Sequence, residues 1–87
     1  MDMGQFIRVS QMDGVNNQFA IQTSTGMIFQ SYNSIIVFVS EGKVYLDASR
    51  WDYSNTTGKY RNRFLRETRK ETERKIKSGE YILTNLN

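Results

Sequence analysis

Lys59, Arg63, Arg66, Lys70, Arg74 and Lys77 follow one another at spacings of 4, 3, 4, 4 and 3. On a helix turning about 100° per residue, these positions fall within about 80° of arc. They form a row about 27 Å long at a rise of about 1.5 Å per residue. Ammonium and guanidinium groups in such a row do one kind of chemistry, which is to hold anions. The matching ligands are nucleic-acid phosphates or the carboxylates of an acidic protein surface. Phosphate binding of this kind releases counterions and depends steeply on salt. The plainer alternative is a solvated face that keeps a small protein in solution, against which stands the helix stability lost by crowding like charges. Glu67 and Glu71 flank the row on one side and Glu73 on the other. Pairs such as Glu67–Lys70 and Glu71–Lys75 would each contribute about 0.3 kcal/mol.

A second candidate is the stretch Trp51-Asp52-Tyr53-Ser54, which holds the only tryptophan. Trp51 and Tyr53 suit a protein hot spot or a platform for stacked bases. The simpler reading has Trp51 plugging the junction between sheet and helix, with Asp52 or Ser54 capping the helix. The five tyrosines are spread over several segments, and the Gly-aromatic signature of a ribonucleoprotein sheet is absent. Glu41, Asp47 and Asp52 are the carboxylates that a hydrolase or magnesium site would need to bring together, but capping and solubility explain them as well.

The chain has no cysteine and no histidine. It therefore lacks thiolate chemistry, the usual general base near neutral pH and the commonest metal ligand. No phosphate loop, dinucleotide fingerprint or nucleophile elbow occurs. These observations predict a non-catalytic binding protein with no cofactor and no metal.

The net charge of +3 conceals an asymmetry. Residues 1–58 carry three basic and five acidic groups, whereas residues 59–87 carry nine basic and four acidic ones. One surface of the fold is expected to be electrostatically specialised. The longest apolar run, Ile35-Ile36-Val37-Phe38-Val39, is far short of the roughly 18 residues that cross a bilayer. The start, Met1-Asp2-Met3-Gly4, is unlike a secretory signal. The expectation is a cytoplasmic protein without membrane contact.

The elements that must position these residues read as one α+β domain over 1–87. Strands are expected at 6–9, 18–23, 27–32, 34–40 and 43–47, with turns at Ser24-Thr25-Gly26 and Glu41-Gly42. Four to six short strands in an antiparallel meander would fill residues 1–50, with the run at 35–39 central and covered on both faces. A junction loop follows over 51–57. A single long, basic amphipathic helix is predicted over 58–78, ended by Ser78-Gly79, and a last strand over 80–85 returns to the sheet. Phe64, Leu65, Thr68, Thr72 and Ile76 lie within about 120° of arc, with Tyr60 at its edge, and form the face expected to meet the sheet.

The sequence from Met27 to Asn87 also resembles small proteins carried by bacteriophages and other mobile elements of Gram-positive bacteria. The residues that carry the likeness are Phe29-Gln30-Ser31-Tyr32, Gly42-Lys43-Val44-Tyr45-Leu46-Asp47, Trp51-Asp52-Tyr53-Ser54 with Thr56-Thr57, Lys59-Tyr60-Arg61, Phe64-Leu65 and the ending from Lys75 to Asn87. The resemblance implies a protein that inhibits or modulates a host protein or nucleoprotein, with a CRISPR effector as one example. A small nucleic-acid-binding accessory protein contacting DNA or RNA phosphates is the alternative. Pairing of exposed strands in a homo-oligomer is a third expectation.

Overall fold

A computed structural model describes residues 2–87. β-Branched and aromatic residues between turn-forming glycines give β1 (Phe6–Gln11), β2 (Gln18–Thr23), β3 (Met27–Ser31), β4 (Ser34–Ser40) and β5 (Lys43–Asp47). Two helices follow, α1 (Asn55–Leu65) and α2 (Arg69–Lys77), and then β6 (Tyr81–Thr84). The strands form one six-stranded sheet in the order β1-β2-β3-β4-β5-β6. From β1 to β5 every pair is antiparallel. Between β4 and β5, Glu41 and Gly42 both take positive φ, 53° and 76°, which matches the right-handed twist of the flanking strands.

Successive side chains point to opposite faces of the sheet, and the apolar residues divide accordingly. Phe29, Val37, Leu46 and Tyr81 face the helices and form a core with Ile36 and Tyr60, against which Trp51, Phe64, Leu65 and Ile76 pack. Ile21, Ile28, Phe38 and Leu86 form a second cluster on the other face. Phe38 and Tyr45 are cross-strand partners with ring centroids 6.0 Å apart. Burying each large side chain contributes about 2 kcal/mol. β4 is central and covered on both sides, as the unbroken run at 35–39 requires.

Two expectations about the second half need correction. The predicted helix over 58–78 is two helices, and the first begins inside the predicted junction loop, at Asn55. Ser54 is its N-cap, with Oγ accepting from the Thr57 N–H at 3.1 Å. α1 ends where Arg66 turns left-handed, at φ 57° and ψ 48°, and Asn62 O accepts from the N–H groups of Arg66 and Glu67. Thr68 then caps α2 through a capping box: its Oγ1 accepts from Glu71 N, and the Glu71 carboxylate accepts from Thr68 N. Thr68 is thus exposed instead of facing the sheet, while Thr72 is fully buried as expected.

The second correction concerns β6, which pairs parallel to β5. A connection between parallel neighbours must carry the chain back to the end of the sheet where β5 began. A continuous helix of 20 residues would be about 30 Å long, whereas a five-residue strand spans about 17 Å. Folding the helical segment at Arg66 fits the crossover to the sheet. Beyond β6, Leu86 N donates to Asp47 Oδ1 at 2.8 Å, and the Asn87 amide pairs with both backbone groups of Ile35. Among the described residues, no helix is long and apolar enough to cross a membrane.

Candidate functional site

The break at Arg66 divides the predicted basic row. Lys59 and Arg63 lie on the outer face of α1. Lys70, Arg74 and Lys77 form a shorter row on the outer face of α2, within about 60° of arc. Arg66 sits at the joint. All six remain exposed, but the continuous 20-residue rod that would align them is absent. Lys59 and Arg63 both lie over the Tyr60 ring, at 5.5 Å from its centroid. Arg63 also pairs with Asp13, and Lys77 lies 3.9 Å from Glu73. Arg66, Lys70 and Arg74 make no ion pair among the described residues.

What the fold assembles instead is centred on Asp52. The chain enters α1 through Trp51 and Asp52, and α2 begins beside them because of the fold-back. Asp52 Oδ1 accepts from Arg61 Nη1 at 3.0 Å, and Oδ2 accepts from Arg69 Nε at 2.7 Å. Arg61 Nη1 also donates to Trp51 O at 2.6 Å, and Nη2 donates to Asn62 Oδ1 at 2.8 Å. Both guanidiniums lie over the Trp51 ring, with centroid distances of 5.1 Å for Arg61 and 5.6 Å for Arg69. These cation–π contacts add to the packing of the indole on the core. Burial pushes the Asp52 carboxyl up, but the hydrogen bonds and charges of Arg69 and Arg61 outweigh it. The group lies below its ordinary value of 3.8.

An open cleft of about 530 Å³ lies over this arrangement. It is lined by Lys59, Arg61, Arg63, Arg69 and the single carboxylate Asp52, together with polar residues of the first turns of α1. Of the residues expected at the contact surface, the cleft gathers Lys59 and Arg63. Arg66, Lys70, Arg74 and Lys77 lie elsewhere on the helix layer, and neither Trp51 nor Tyr53 lines the cleft. Trp51 takes the plug position, with two guanidiniums over its ring. Tyr53 is exposed. Glu41, Asp47 and Asp52 do not work together: Asp47 accepts from Ser49 N and Leu86 N, whereas Asp52 holds the two arginines.

Arg61 and Arg69 were missed from the sequence. Arg61 falls among Tyr60 and Phe64 on the inward side of α1 and is only 1% exposed. A cation at an inward helical position beside a Trp-Asp pair was the available signal. Arg69 follows the capping residue Thr68, and the Thr-Arg-Lys-Glu box at 68–71 marks the new helix start.

On α2's other flank, Glu67 accepts from Thr72 Oγ1 at 2.5 Å, Tyr81 OH at 2.6 Å and Lys75 Nζ at 2.9 Å. The pairs Glu67–Lys70 and Glu71–Lys75 expected from helical spacing do not form, because Glu67 precedes α2 and reaches across to Lys75.

No curated protein and no solved structure matches the chain. Residues 5–80 match a family described as of unknown function, DUF8033, and the chain belongs to that family.

Proposed function

We propose that this chain is a non-catalytic binding protein that modulates a host factor, and that it docks through the cations of its helix layer. The observation that carries the reading is the grouping of Lys59, Arg61, Arg63 and Arg69 around one open cleft, beside exposed Arg66, Lys70 and Arg74. The one carboxylate lining the cleft is hydrogen-bonded by two arginines, which suits a clamp better than a general base. The partner is a nucleoprotein whose nucleic-acid phosphates meet these cations. A CRISPR effector, the example drawn from the resemblance to phage and mobile-element proteins, is one such target. Direct action on free DNA or RNA is the second reading, favoured by the same cations.

Fluorescence anisotropy with a short DNA duplex and a single-stranded RNA tests the helix layer as a phosphate-contacting surface. Affinity is expected to fall by orders of magnitude between about 50 and 200 mM salt. Replacing Arg66, Lys70 and Arg74 together with Gln, which breaks no ion pair, is expected to weaken it further. Unchanged binding by a folded triple variant would return these cations to a role in solubility, and an absence of binding at low salt would end the nucleic-acid reading.

A further inference from the structure

We infer that the cleft at the start of α1 is a binding site for a phosphate group, a phosphomonoester end in preference to a backbone diester. The inference rests on the helix layer being the contact surface and assigns a ligand to one part of it. Several independent features converge on the cleft. Its lining holds four cations and one carboxylate. Just outside it Asp13 pairs with Arg63 and Glu73 with Arg69, and the positive balance that remains, centred on Lys59, favours a dianion over a monoanion. α1 has no acidic residue in its first turn, whereas α2 has Glu71. The Ser54 cap occupies the Thr57 N–H, and Asn55, a residue of the cleft lining, has a backbone N–H with no acceptor among the described residues. Free amides at the positive end of a helix favour an anion.

Two further features concern the floor. Arg61 lines the cleft, is almost fully buried, and has an Nε without a hydrogen-bond partner. An unsatisfied donor on a buried cation is costly, and the field of an oxyanion seated in the cleft would offset part of that cost. Gly58 lies inside α1, on the cleft wall. A Cβ there would meet Arg61 Nη2 at 3.6 Å, Arg61 Nη1 at 3.7 Å and Asp52 Oδ1 at 3.8 Å, all ordinary contacts. Packing therefore leaves room for alanine, and helix propensity favours it. The glycine keeps bare the part of the wall nearest the guanidinium, where a ligand can approach the backbone closely. Because Trp51 already lies beneath two guanidiniums, the ligand is held by its phosphate and not by stacking of a base.

The test is an amide chemical-shift titration at low salt with three probes: inorganic phosphate, a 5′-phosphorylated oligonucleotide and the same oligonucleotide without the phosphate. Expected are shifts at Asn55, Gly58 and Lys59 with the first two probes, and tighter binding of the phosphorylated strand. Gly58→Ala is expected to raise the melting temperature while weakening the phosphorylated strand about tenfold. Lys59→Gln, at an exposed side chain without an ion pair, is expected to weaken it about threefold. If the two oligonucleotides bind equally and Gly58→Ala changes nothing, the phosphate site is overturned while the broader helix-layer reading stands. If shifts appear only around Arg66, Lys70 and Arg74, the same conclusion follows. If no probe binds, both fail. Binding of inorganic phosphate alone would show a site for the free anion and overturn the preference for a phosphorylated strand end.

Discussion

Asp52 and Glu67 each draw cations toward an aromatic ring, and the two assemblies differ in how completely they close. Glu67 has a side chain only 4% exposed, accepts from Thr72, Lys75 and Tyr81, and leaves one cation paired with one carboxylate. Lys75 lies 5.2 Å from the Tyr81 ring centroid. Asp52 is 26% exposed, binds two arginines, and opens onto a cleft that further cations line. The first assembly is balanced and ties α2 to β6. The second ties α1 to α2, with Arg69 also paired to Glu73 and Arg63 to Asp13, and leaves Lys59 without an ion pair toward solvent among the described residues. Charge that is matched and buried supports the fold, whereas charge left over at an opening is available to a ligand.

On this contrast, the closed assembly is the more sensitive to loss of its carboxylate. Glu67→Gln is expected to destabilise the protein by about 3 kcal/mol, because Lys75 loses a partly buried counter-ion. That corresponds to a fall of roughly 15 °C in melting temperature for a domain of this size. The same variant alters an alkaline titration. Burial, the Glu67 hydrogen bond and its negative charge push the Tyr81 hydroxyl from 10.0 up to about 12. A raised folded value means that stability is fully present below pH 10.0 and is lost as pH climbs toward 12. Tyrosinate absorbance should therefore show a late component from Tyr81, and Glu67→Gln should bring it down.

Asp52→Asn is expected to cost less, about 2 kcal/mol, since Arg61 keeps Trp51 O and Asn62 Oδ1 as acceptors. A larger loss at Asp52 than at Glu67 in denaturant melts would break the comparison. Both carboxyls lie below their ordinary values: burial raises them, but their hydrogen bonds and neighbouring cations more than compensate. Each therefore adds stability above its unfolded value, 3.8 for Asp52 and 4.5 for Glu67, and that contribution is lost as pH falls further. The smallest effect is expected at the joint that separates the two assemblies. Arg66→Gly relieves a left-handed residue and is expected to stabilise by about 1 kcal/mol, read as a slightly higher melting temperature.

The sheet was legible in the sequence because its signals are local. The unbroken run at 35–39 specified a central strand, and Glu41-Gly42 specified a tight turn. The inward positions Tyr60, Phe64, Thr72 and Ile76 also followed from helical period. The fold-back did not, because neither glycine nor proline marks it: an arginine takes the left-handed position. Thr68 satisfied the inward periodicity of a continuous helix, and this obscured its role as a cap. The basic row depended on that continuity and is divided by the break. The cleft could not be read because its second pair of cations, Arg61 and Arg69, meets Asp52 only through the crossover. The parallel pairing of β6 followed from the same tertiary event.

β1 contributes no side chain to either apolar cluster, and its apolar residues Phe6, Ile7 and Val9 are exposed. Its ladder to β2 is therefore its main anchorage, and peeling it away would uncover little additional apolar surface. Such a border strand belongs at the low end of local opening free energies. Its backbone amides should exchange with solvent well before those of β4, and the five strands left behind would still enclose both cores.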